Sequence, residues 1–71
     1  MIWEVRTYND PEVIAVLTAE DYDISIDSEL IPEEEESILD AFTPWYDPLK
    51  TQAEITYDLN NNTPYLWAEL P

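Results

Sequence analysis

The sequence predicts an α+β fold: a small antiparallel sheet of three to four strands with one or two short helices on one face. Three observations carry that expectation. Tyr22 to Ser28 alternates apolar and polar residues, as a half-buried strand does. Pro32 opens a segment whose Ile38, Leu39 and Phe42 recur at helical spacing. Ala53, Ile55, Tyr57 and Leu59 alternate with Glu54, Thr56 and Asp58, which reads as a second clear strand.

Taken in order, Ile2 to Tyr8 is rich in β-branched and aromatic residues and reads as a strand, ended by Asn9-Asp10-Pro11. Asp10 before Pro11 suits a helix N-cap with proline at the first helical position. Val13 to Leu17 then reads as a short helix ending near Glu20, with a strand as the competing reading. In Tyr22–Ser28, Tyr22, Ile24 and Ile26 share one face and Asp21, Asp23, Ser25 and Asp27 the other. Pro32 starts a helix whose four glutamates, Glu33 to Glu36, lie beside its positive end, and Thr43-Pro44 stops it. Trp45-Tyr46-Asp47-Pro48 makes an aromatic turn. Asn60 to Pro64 is read as a turn, after which Tyr65 to Leu70 returns as a hairpin partner. Trp3, Tyr57 and Trp67, at strand positions, are expected in the core or as cross-strand pairs.

The 71 residues suffice for a single domain, 1–71, with no internal repeat or linker. A domain this size buries only about 60% of its unfolded surface. With no cysteine, stability must come from burial, for which the sequence is 45% hydrophobic and 13% aromatic. That content separates the chain from disordered acidic tails. Glycine is absent, so turns rely on Pro, Asn and Asp.

Charge is the dominant feature. Seventeen acids face Arg6 and Lys50 alone, a formal net charge of −15, against a magnitude of about 2–8 that solubility asks of a small domain. Nine of the 17, namely Asp21, Asp23, Asp27, Glu29, Glu33, Glu34, Glu35, Glu36 and Asp40, fall between residues 21 and 40 with no Lys or Arg among them. Same-side positions on a strand repeat at about 6.7 Å, so such carboxylates can stand where a DNA-binding groove expects phosphates. Arginines of the partner would meet them in charge-assisted pairs. The expected partner is a DNA-binding protein with a basic groove. Nucleic acid itself and an anionic membrane are excluded as direct partners by sign.

Other chemistries fare worse. With no His or Cys and no Gly-rich loop, no enzymatic site is expected, and no cofactor. Asp21-x-Asp23-x-Ser25-x-Asp27 resembles half a calcium loop, but Ile26 and Pro32 stand where that loop needs Gly and Glu, so no metal is expected. No targeting signal and no apolar run of spanning length is visible, which makes the host cell's cytoplasm the expected setting. Trp45 and Tyr46 are read either as a lid over the core or as exposed interface anchors. The anchor reading supports an alternative function, a protein-interaction or regulatory module without DNA mimicry. A charge-adapted domain with a solvated acidic face is the third reading. Monomer and homodimer both remain open.

In size, charge and patterning the chain resembles small acidic phage proteins that disarm host DNA enzymes: anti-restriction proteins, anti-CRISPR proteins, nuclease blockers and uracil-DNA glycosylase inhibitors. Glu36-Ser37-Ile38-Leu39 is similar to a Glu-Ser-Ile-Leu stretch that the glycosylase inhibitors insert into the enzyme's DNA groove. The resemblance implies that Glu36 and Ser37 contact the groove, that Asp40 or Glu35 supports them, and that an apolar pocket receives a hydrophobic side chain of the enzyme. Those families present the stretch on an extended edge, whereas here it falls in a segment read as helix.

Overall fold

The computed structural model describes all residues from Met1 to Pro71. Four strands, β1 (Ile2–Thr7), β2 (Ala15–Glu20), β3 (Asp23–Ser28) and β4 (Tyr65–Leu70), form one antiparallel sheet in the order β3-β2-β1-β4. Two helices, α1 (Pro32–Phe42) and α2 (Gln52–Asn62), lie between β3 and β4 in sequence and cover one face of that sheet. A single 3₁₀ turn, Thr43–Trp45, joins α1 to the segment before α2. The fold class predicted from sequence is the one observed.

The core is set by strand alternation. Trp3 pairs with Leu17, Val5 with Ala15 and with Trp67, Leu17 with Ile26, and Ala19 with Ile24. These residues share the helix-covered face, and Ile38, Phe42, Ile55 and Leu59 descend onto them. Phe42 sits at the centre, its ring 5.2 Å from that of Trp3 and 5.7 Å from that of Trp67. Each buried indole N–H needs an acceptor, and α2 supplies both. Trp3 Nε1 donates to Thr56 Oγ1 and Trp67 Nε1 to Thr63 Oγ1, each at 2.8 Å. Both threonines in turn donate to the carbonyl one helical turn back, of Gln52 and Leu59. No buried side-chain polar atom lacks a partner.

Several expectations are corrected. Val13–Leu17 is not a helix: Ala15–Glu20 is strand β2, paired on both sides. The Asp10-Pro11 signal is real but local, since Asp10 Oδ1 accepts from Glu12 N–H at 2.9 Å in an Asx turn that no helix follows. Ala53–Leu59 is not a strand but the body of α2. Ile55 and Leu59 fit both periods, because a spacing of four is even and is also one helical turn. Thr51 decides between them: its Oγ1 accepts from Glu54 N–H while the Glu54 carboxylate accepts from Thr51 N–H, a capping box that nucleates the helix. The alternation therefore misplaced Tyr57, which is 70% exposed on α2.

With 53–59 helical, Tyr65–Leu70 has no hairpin partner before it and pairs with β1 over its full length. Asn60 to Asn62 close α2 rather than form a turn. Asn60 also guards the outer edge of β4, where unpaired backbone groups would otherwise face water. Its Nδ2 donates to Trp67 O at 3.0 Å and its Oδ1 accepts from Trp67 N–H at 2.7 Å, the bonds a neighbouring strand would make. Tyr22 lies outside β3. Glu20 pairs with Asp23, so Asp21 and Tyr22 form a two-residue hairpin turn, with Asp21 at φ 53° and Tyr22 87% exposed. In a chain without glycine, Asp is among the few residues that tolerate this backbone.

A candidate acidic interface

The acids between residues 21 and 40 do not form one plane. Ile24 and Ile26 point into the core, so Asp23 and Asp27 stand on the opposite, helix-free face of the sheet. Asp21 lies in the hairpin turn and Glu29 in the loop that leaves β3. On α1, burial of Ile38 and Phe42 turns Glu33, Glu34, Glu36, Ser37 and Asp40 to solvent on the helix side. Strand β3 is a free edge of the sheet and α1 packs beside it. The two acidic sets are thus separate surfaces that meet at the β3 edge, a ridge and not a flat patch.

Local chemistry explains why α1 accepts so many acids. Its N-cap, Ile31, offers no side-chain cap, and Pro32 at the first position has no N–H to leave unpaired. Glu33, Glu34 and Glu35 occupy the first turn, where the exposed N–H groups favour negative charge. Glu36 and Asp40, one turn apart, have no such support and repel each other. Glu35 differs from its neighbours. It is half-buried, and its Oε2 accepts from Ser28 Oγ at 2.7 Å, while Ser28 Oγ accepts from Leu30 N–H. Glu35 therefore ties the β3–α1 loop and is a positioning group. Ser37 donates its hydroxyl to Glu33 O at 3.1 Å, leaving its oxygen lone pairs free to accept from outside.

Both cations are already engaged. Arg6 meets Glu4 and Lys50 meets Asp58, each at 3.3 Å, and both pairs lie away from the ridge, the first on β1 and the second between α2 and the loop before it. The ridge carboxylates have no cationic partner within the chain. No three acidic side chains converge closely enough to share one metal ion. No helix is long and apolar enough to cross a membrane.

Trp45 and Tyr46 form a lid. Both are half-buried against the core, and Tyr46 stacks on Phe42 at 5.1 Å. Its hydroxyl donates to Asp21 O at 2.6 Å and so fixes the hairpin turn at one end of the ridge. Partial burial, then the nearby Asp21 and Asp47 carboxylates, push the Tyr46 pKa up. No residue pattern signals this tie between residues 25 positions apart.

Two concavities mark the surface. A shallow one of about 410 Å³ runs over Lys50, Ala53, Glu54, Tyr57 and Asp58 on the outer side of α2, remote from the ridge. A narrower cleft of about 200 Å³ lies between α1 and the sheet, walled by Ile14, Leu30, Ile38 and Tyr65 together with Glu34 and Ser37. Glu36-Ser37-Ile38-Leu39 is helical throughout, at the middle of α1. Ser37 and Ile38 of that stretch border the cleft directly. The chain matches no protein-family model, no curated protein and no solved structure.

Proposed function

We propose that this chain is a non-enzymatic, DNA-mimicking inhibitor that fills the basic groove of a nucleic-acid enzyme. One observation carries the reading: a net charge of −15 remains on a folded domain whose two cations are both paired internally, and nine of its 17 acids lie on or beside an edge strand and its neighbouring helix. A fold bears the self-repulsion of such a surface, and arginines of a DNA-binding groove offset it. In this reading Glu33, Glu36 and Asp40 on α1 and Asp23 and Asp27 on β3 take the places of phosphates. Ser37 accepts a hydrogen bond beside them. The target class is a uracil-DNA glycosylase, a nuclease, or a restriction or CRISPR effector, and the Glu-Ser-Ile-Leu stretch, helical here and not an extended edge, does not single out the glycosylase.

Affinity capture from a bacterial lysate tests the proposal. The expected catch is a nucleic-acid-binding protein, released by duplex DNA and by salt. Charge reversal of Glu33, Glu34, Glu36 and Asp40 should weaken capture far more than reversal of Glu54 and Glu69. Equal losses from the two sets, or a catch indifferent to DNA, defeat the reading.

A further inference from the structure

The helix-free face of the sheet divides into two halves of different character. Its β2–β3 half carries Glu20, Asp23 and Asp27. Strand register builds the other half in rows: Leu70 beside Ile2, then Ala68 beside Glu4 and Val16, then Leu66 beside Arg6. Strand β4 therefore turns only apolar residues, Leu66, Ala68 and Leu70, to the helix-free face, while Tyr65, Trp67 and Glu69 take the covered one. Leu66 is 38% exposed and Ile2, Val16, Ala68 and Leu70 are half-buried, with nothing above them. On β1 and β4 the only charges of this face are Glu4 and Arg6, which cancel, while Asp27 of β3 stands beside Val16 at its border.

We propose that this β1–β4 half-face is the contact surface of a weak two-fold homodimer. Charge selects the occupant. On a chain of net charge −15, this patch is apolar with one acid and one base, so a second copy can approach it without opposing uncompensated carboxylates. The pair is also self-complementary: about a two-fold axis, Arg6 of one copy meets Glu4 of the other, and the leucines close around them. Size sets the strength. Two strands of six residues cover a plan of roughly 20 by 10 Å, well under the ~800 Å² per partner of a stable interface. Dissociation constants weaker than about 1 μM follow. The contact leaves β3 and α1 free, so it stands or falls independently of the proposed target.

Salt separates the two ideas by sign. At about 0.01 M salt the Debye length is roughly 30 Å, as long as the molecule, whose longest extent is 30 Å. The whole charge of each copy then repels the other. At about 1 M the length falls to roughly 3 Å and only contacts count. Sedimentation of the full chain, up to about 1 mM protein because the interface is small, should show the average mass rising toward twice the monomer with concentration and with salt. Leu66→Glu should cut association at least about tenfold by burying an unpaired charge. Leu66 is partly exposed, so this variant keeps its fold, which circular dichroism checks. Arg6→Glu and Glu4→Arg should each be monomeric alone and form a mixed dimer when combined. A chain that stays monomeric at high salt overturns the proposal and leaves this face to a different protein. Association unchanged in Leu66→Glu, or no mixed dimer from the charge-swapped pair, overturns it equally.

Discussion

The two ends of the sheet use their polar residues for opposite purposes. Around α2 and β4 nearly every polar side chain is turned inward on the chain itself: Thr51 and Glu54 cap the helix, Thr56 and Thr63 receive the two indoles, Gln52 holds Ile2 O, and Asn60 closes the β4 edge. Around β3 and α1 the polar side chains are mostly carboxylates, and Glu35 alone among those on α1 bonds to another side chain. Stability is thus concentrated at one end and unpaired charge at the other. A domain of 71 residues has little stability to spare, so a surface given over to like charge needs the opposite end to be over-determined. Perturbing each end in turn should therefore give different kinds of response.

The largest expected effect is at Asn60. Asn60→Ala removes both bonds to the Trp67 backbone and leaves a partly buried N–H and C=O unpaired, at a cost of about 2 to 3 kcal/mol. Urea unfolding measures it. A loss under about 0.5 kcal/mol, the scale of an ordinary surface change, would mean that the edge clamp is ornamental and the stable end less determined than its bonds imply.

Next comes the capping box. Thr51→Ala should cost about 1 kcal/mol at neutral pH. Glu54 adds a pH signature, because the Thr51 N–H and hydroxyl hold its carboxyl below the usual range, with Lys50 assisting. A lowered pKa in the fold gives a contribution present above the unfolded value and lost as pH falls through the folded one. The stability difference between the wild type and Glu54→Gln should therefore shrink on that acid limb. A difference that is flat with pH would show that the box does not depend on the carboxylate's charge.

These two positions also mark where the sequence was misread. Strand β1, strand β3 and α1 were legible because propensity, period and punctuation agree there. Within Ala53–Leu59 the buried pair Ile55 and Leu59 satisfies two periods at once, and only Thr51-Gln52-Ala53-Glu54 breaks the tie. At Asp10-Pro11 a valid start signal serves a loop, and pairing with β1 outweighs it. The acids themselves were legible as a run. Their division between two surfaces was not, since it depends on which side of the sheet the helices pack, and alternation within β3 is silent about that.

A smaller effect tests the tie between the lid and the hairpin. Tyr46→Phe removes one bond to Asp21 O from a partly exposed site, worth about 0.5 to 1 kcal/mol. The hydroxyl's raised pKa means that the folded state holds its proton more tightly than the unfolded chain. Its contribution is fully present below the unfolded value near 10.0 and is lost as pH rises through the folded one. Alkaline unfolding should be steeper in the wild type than in Tyr46→Phe, and equal slopes would remove Tyr46 from any role in fixing that end of the ridge.

The smallest effect on stability bears most directly on function. Within α1 the acids divide by position. Glu33 and Glu34 sit in the first turn, where the helix end favours them by about 0.3 to 1 kcal/mol each, so Glu33→Gln with Glu34→Gln should destabilise slightly. Glu36 and Asp40 are one turn apart and repel by about 0.2 to 0.5 kcal/mol. Glu36→Gln with Asp40→Asn should therefore stabilise slightly, and both shifts should fade in salt. The same neutral pair should bind a captured partner less well. Stability and binding moving in opposite directions in one double variant is what a surface kept for recognition predicts, because a merely solvated face has no binding to lose. A loss of stability above about 1 kcal/mol from Glu36→Gln with Asp40→Asn, beyond what exposed like charges supply, would instead make these acids part of the fold and erase the contrast between the two ends.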